Sequence, residues 1–237
     1  MPDATASSVN PDKHQQSADT LPSLAPDDEN FAAFRAADDG GKVIDWLRDN
    51  DFDPARILNA LGTVKLLKLH PDMEYRLGAT PGTGTLMLDI RAGEPDHLVF
   101  PIIEGGQWVD LACWEVLDHE CVPSFRVFTL ADAPWLGRDN IAGPRVRLHH
   151  SVFSWLGAGC SGCVSIHPFQ RTHLKDLAAV DTIECNEIST ATEAWEWGFG
   201  GLDEALSRFL IDDEPENVTD YFKREAFWQA ATARRAA

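Results

Sequence analysis

No apolar run in the chain approaches membrane-spanning length. The longest, LVFPII at 98–103, has six residues, where a helix crossing a bilayer needs about 20. The N-terminus lacks the basic, apolar and small-residue layout of a secretion signal. Basic residues are scarce too, 20 Lys and Arg against 38 Asp and Glu, for a net charge of −18. That balance opposes a broad nucleic-acid-binding face, because such binding is driven by cations releasing counterions from phosphate. Five cysteines with one close pair do not make a disulfide framework for a chain this long. Reduced thiols, a cytoplasmic location and no membrane association are expected.

Familiar catalytic spellings are missing as well. There is no Gly-x-Ser-x-Gly elbow, no His-Glu-x-x-His and no dinucleotide fingerprint in its strand-to-helix setting, so motifs assign no catalytic residue and no cofactor. The stretch GATPGTGT at 78–85 is close to a phosphate-binding loop, but Thr85 stands where lysine belongs. It also runs into the strand-like TLMLDI rather than a helix, so it reads as a Pro-Gly turn.

What is present suffices for a folded core, with 44% hydrophobic residues, eight Trp and twelve Phe among 237 residues. Residues 1–29 are polar and aperiodic and read as a disordered tail, leaving 30–237 as one domain. Within it, 30–62 is helical. Asp53 caps and Pro54 opens DPARILNAL, and Gly62 stops it. Residues 83–130 are strand-rich: TGTLMLDIR, HLVFPII, WVDLACWEV and FRVFTL form an antiparallel meander, with Glu-Gly-Gly at 104–106 as a hairpin loop. From 144 to 200 helices and strands alternate, and a helix opens on the capping box Thr190 to Glu193. Helices complete 201–237. The expected class is α+β, an antiparallel meander joined to a small α/β layer that one mixed sheet could hold.

Charge is distributed unevenly. Residues 181–220 hold twelve acids against Arg208 alone, whereas 138–175 hold Arg138, Arg145, Arg147, Arg171 and Lys175 against Asp139, together with four of the eight histidines. In this basic segment Arg145 and Arg147 alternate along a strand that feeds His149, His150 and a helix capped by Ser151. Those five residues are the candidate anion site, beside the alternative of a solvated edge strand and an ordinary cap. Asp110, inside the apolar WVDLACW, is a candidate for a polar cleft, or else a residue of a solvent-facing side. Its odd separation from Cys113 puts those two on opposite faces.

GAGCSGCVSIHP at 157–168 offers Cys160, Cys163 and His167 as metal ligands. No second Cys-x-x-Cys closes a zinc set. The pair also follows a helix, where a redox-active pair would precede one. The plainer reading is a glycine-rich helix stop running into a strand that begins at a buried Cys163.

VDLA at 109–112, WLG at 135–137 and WLGAGCSGCV at 155–164 together resemble a family of proteins carried by bacterial prophages and related mobile elements. The resemblance spans about 83–186 and implies an accessory protein placed near replication genes, with no catalytic residue to carry over. In that pattern the position of Cys163 takes small hydrophobic residues, which counts against a metal. The function expected from these readings is a non-catalytic accessory or binding protein of a mobile element, working on nucleic acid or an anion through 138–175. One alternative is an acidic module using 181–220 to meet a basic protein or mimic DNA, and another is a small metal-dependent enzyme.

Overall fold

The computed structural model describes residues 28–70, 87–116, 127–131, 133–166, 171–201 and 203–211. The tail, the 78–85 turn, His167 and the helix expected near the C-terminus lie outside these residues, wholly or nearly so. Three helices open the described chain: α1 (Glu29–Ala36), α2 (Lys42–Asp49) and α3 (Pro54–Leu61). Asp28 caps α1 by accepting from the Asn30 amide, and Asp53 caps α3 by accepting from the Ala55 and Arg56 amides, with Pro54 in the first turn as the spacing predicts.

The first sheet is antiparallel throughout, in the order β2 (Ile90–Arg91), β1 (Lys65–Leu69), β3 (His97–Glu104), β4 (Gln107–Glu115), β5 (Val127–Thr129). β3 and β4 are the hairpin expected at 104–106, and both are covered on each face. Leu98, Phe100, Ile102, Ala112 and Trp114 pack toward α2 and α3, while Val99, Leu111 and Cys113 pack with Phe31 and Phe34 of α1. Double burial explains why HLVFPII is continuously apolar rather than alternating. Fully burying Phe31 and Phe34 is worth about 1.5–3 kcal/mol each, enough to fix α1 on that face.

The second sheet is mixed and separate from the first, so the class is α+β with two sheets rather than one. Its order is β10 (Phe209–Ile211), β9 (Thr182–Cys185), β7 (Arg145–His149), β8 (Cys163–Ser165), β6 (Trp135–Leu136). β10, β9, β7 and β8 run parallel, and β6 is antiparallel to β8. Helix α4 (Val152–Gly157) links β7 to β8, a 3₁₀ segment at Arg171–Ala179 links β8 to β9, and α5 (Ile188–Phe199) links β9 toward β10. Parallel strands need such crossovers, which is why elements alternate here in the sequence. Ring contact between Phe100 and Trp155, with centroids 6.1 Å apart, ties the two sheets together.

The CSGC stretch is the helix stop it was read as. Cys160 (φ 62°) and Gly162 (φ 81°) turn the chain after α4, and Cys163 opens β8 fully buried. A Cβ on Gly162 would lie 2.4 Å from the Arg147 carbonyl oxygen, and one on Gly137 would lie 2.2 Å from the Gly162 carbonyl oxygen. Two of the motifs singled out in the sequence, WLG and GCSGC, are therefore the two sides of one close backbone contact.

Candidate functional site

The chain runs from β7 to β8 on one side and then returns to β9 on the other side of β7. In open parallel sheets, ligands bind beyond the carboxyl ends of strands near such a reversal. A crevice of about 310 Å³ lies at that edge. Leu148 to Phe153 line it from the end of β7 and the start of α4, Val164 to Ile166 from the end of β8, and Ser189, Thr190, Glu193 and Ala194 from the start of α5. Trp114 and Val127 of the first sheet close the opposite wall. A mainly apolar cavity with a few converging polar groups is the usual form of a small-ligand site.

Its polar groups are oriented by specific partners. His149, at the end of β7 and only 4% exposed, places Nε2 2.8 Å from the Ser161 carbonyl oxygen. A carbonyl can only accept, so Nε2 carries the hydrogen and the neutral ring keeps its lone pair on Nδ1. His150 places Nδ1 3.0 Å from Glu187 Oε1, a pairing that fixes the orientation of the ring. Ser165, the last residue of β8, places Oγ 2.7 Å from His173 Nε2.

Helix α5 begins two residues before the capping box expected at Thr190. Glu187 is its N-cap and makes no side-chain cap bond, its carboxylate being beside His150 and Ser189 Oγ. The first-turn amides have no intrahelical acceptor. Thr190 in that turn is 9% exposed and lines the crevice. Asn186 Oδ1, just past the end of β9, is buried without a partner.

The five residues proposed as an anion site separate. His149, His150 and Ser151 line the crevice; Arg145 and Arg147 do not. Ser151 caps α4 in a reciprocal capping box with Ser154. Arg145 is paired with Glu184 on β9, and Arg138 lies 3.3 Å from Glu104 and 3.5 Å from Asp176. Two of the five cations in the basic segment, Arg138 and Arg145, are thus paired with acids. In the acidic segment, Glu184 and Glu187 are engaged by Arg145 and His150, and 212–220 lies outside the described residues.

Asp110 is not in the crevice. It is fully buried in β4 and accepts from the backbone amides of Leu111 (2.7 Å), Leu130 (3.0 Å), Ala131 (3.0 Å) and Ala133 (3.1 Å). Burial pushes its carboxyl up to about 6, against the pull of those four amides. Its role is to clamp the 130–133 turn. Burial likewise pushes the Cys160 thiol up to about 12 and the Cys163 thiol further, so neither is a ready thiolate. Among the described residues no three His, Cys, Asp or Glu side chains group as metal ligands.

Fold and site together define an α+β protein with a crevice at the carboxyl edge of the parallel strands of its mixed sheet. No family model and no curated protein matches the chain. Solved structures do. The RNA polymerase domain of Mycobacterium tuberculosis primase DnaG is 12% identical over 82% of this chain and 80% of that one, with a TM-score of 0.46. The DnaG primase catalytic domain bound to single-stranded DNA is 13% identical over 85% and 77%, with a TM-score of 0.45. A DNA primase domain from Pseudomonas aeruginosa is 14% identical over 85% and 74%, with a TM-score of 0.43. The likeness is loose at these values. The structures are described as catalytic or polymerase domains, against the expectation of a non-catalytic accessory or binding protein of a mobile element, which is corrected. No described helix is long and apolar enough to cross a membrane.

Proposed function

We propose that the crevice binds a nucleotide-sized phosphate ester and that the protein is an enzyme acting on that phosphate. The observation that carries this reading is the first turn of α5, which has no side-chain cap bond and places Ser189 and Thr190 on the crevice. Helix N-termini present amides and positive dipole to anions, and Thr190 adds a directed donor. Trp114 and Phe153, with ring centroids 6.3 Å apart, supply the aromatic wall on which a base can stack, and Phe153 is 39% exposed. The His150–Glu187 pair supplies a general base within the same space. A terminal phosphate on a nucleic-acid strand offers the same chemistry, so nucleic acid is kept as a partner. The cytoplasm is kept as the compartment, fitting free Cys113, Cys160, Cys163 and Cys185.

The test is titration calorimetry with inorganic phosphate, adenosine monophosphate and a 5′-phosphorylated oligonucleotide. A hydrogen bond to a charged group is worth about 1.5–3 kcal/mol, so Thr190→Val should weaken phosphate binding by about tenfold or more. Equal affinity in wild type and Thr190→Val would overturn the reading.

A further inference from the structure

We propose that Ser165 is a nucleophile in this crevice and that His173 is its general base. The proposal rests on the phosphate-ester reading and names the group that would attack phosphorus. A serine hydroxyl within hydrogen-bond reach of an imidazole, opening on a ligand cavity and with the imidazole held by a third group, is the geometry of an activated nucleophile. All three parts are present. Ser165 Oγ is 2.7 Å from His173 Nε2, and Ser165 lines the crevice. The His173 ring stands edge-on to Trp135, centroids 4.9 Å apart at 88°.

Trp135 is itself immobilised. It is fully buried, pairs with Ser165 across β6 and β8, and donates from Nε1 to Asp176 Oδ2 at 3.2 Å. Asp176 in turn lies 3.5 Å from Arg138, whose other partner is Glu104. The base thus rests on a packed indole tied into a charged network, rather than on a mobile loop. On the other side, His149 pairs in register with Val164, so the next residues along, His150 and Ser165, come level at the floor of the crevice.

The step balances without a further reagent. Ser165 Oγ forms a bond to phosphorus as the ester P–O bond breaks. The hydroxyl proton passes to His173 Nε2 and from there to the departing oxygen. Water then attacks the phosphoserine with His173 as base, releasing phosphate and restoring Ser165.

The experiment uses the full-length chain and a fluorophosphonate probe, whose phosphorus takes the serine oxygen and loses fluoride. Mass spectrometry of the digested protein locates the adduct. Labelling is expected at Ser165, abolished in Ser165→Ala, slowed about 100-fold in His173→Gln, and suppressed by saturating inorganic phosphate. The proposal is overturned if Ser165 of the folded wild-type chain stays unlabelled, a result that needs no variant to fold, or if folded His173→Gln labels at the wild-type rate. Phosphate binding without Ser165 labelling sinks the nucleophile alone. Labelling that phosphate does not suppress supports the nucleophile and sinks the phosphate reading.

Discussion

Replacing Asp110 with asparagine pits two effects of similar size against each other, and pH decides between them. Four backbone amides pull the buried carboxylate toward its ionised form, while the loss of water around it pushes the other way. Burial wins: the group titrates near 6 in the fold against an ordinary 3.8, a separation worth about 3 kcal/mol. The sign follows from proton binding. Between those two values the folded state holds a proton that the unfolded chain has released, so this group's contribution to stability is complete below 3.8 and lost as pH rises through about 6.

Of that loss, roughly 1.4 kcal/mol falls between pH 5 and 7.5. Asparagine does not titrate. Its amide nitrogen would face the Ala131 and Ala133 N–H groups, which now bond to Oδ2, and stranding one buried donor costs about 1–3 kcal/mol. Asp110→Asn should therefore destabilise by about 2–3 kcal/mol at pH 5 and by roughly 1.4 kcal/mol less at pH 7.5. Urea unfolding followed by tryptophan fluorescence at the two pH values, wild type against variant, cancels every other titrating group. A penalty that grows with pH would refute the reasoning, because it would mean that the amides outweigh burial.

Gly162→Ala sets a Cβ 2.4 Å from the Arg147 carbonyl oxygen in left-handed backbone. It should lower the melting temperature by about 5–10 °C, on the scale of 2–4 °C per kcal/mol for a chain of this size, as calorimetry would show. Arg145→Ala removes the exposed member of the pair with Glu184, and thermal unfolding should move by no more than the equivalent of about 1 kcal/mol. Once turnover of a phosphate ester is in hand, His173→Gln should lower the rate about 100-fold, because His173 carries the proton in both steps, as steady-state kinetics would show.

Local chemistry made much of the scaffold readable. Asp53-Pro54, Ser151 and the Glu-Gly-Gly hairpin each carry their geometry within a few residues, and the CSGC turn is set by glycines and by helix polarity. Asp110 misled because β4 has the composition of a half-exposed strand, and only the packing of helices on both faces of the first sheet buries it. Arg145 and Arg147 suggested a cationic strand, but Arg145 is paired with Glu184, which comes from β9 and is brought near only through strand register. Thr190 was visible only as part of a capping box. The start of α5 at Ile188 turned it from a cap into a first-turn residue facing the cavity. Ser165 and His173 are eight residues apart across a segment with no periodic signal, and nothing short of the fold brings them together.

The central claim is that the first turn of α5 holds a phosphate. Titrating inorganic phosphate into the ¹⁵N-labelled full chain and following its amide resonances tests this most directly. Saturable shifts are expected, centred on Ser189 and Thr190, with smaller ones at His149 and His150, and their loss in Thr190→Val. Shifts confined to other residues, or none at these four at saturating phosphate, would contradict it.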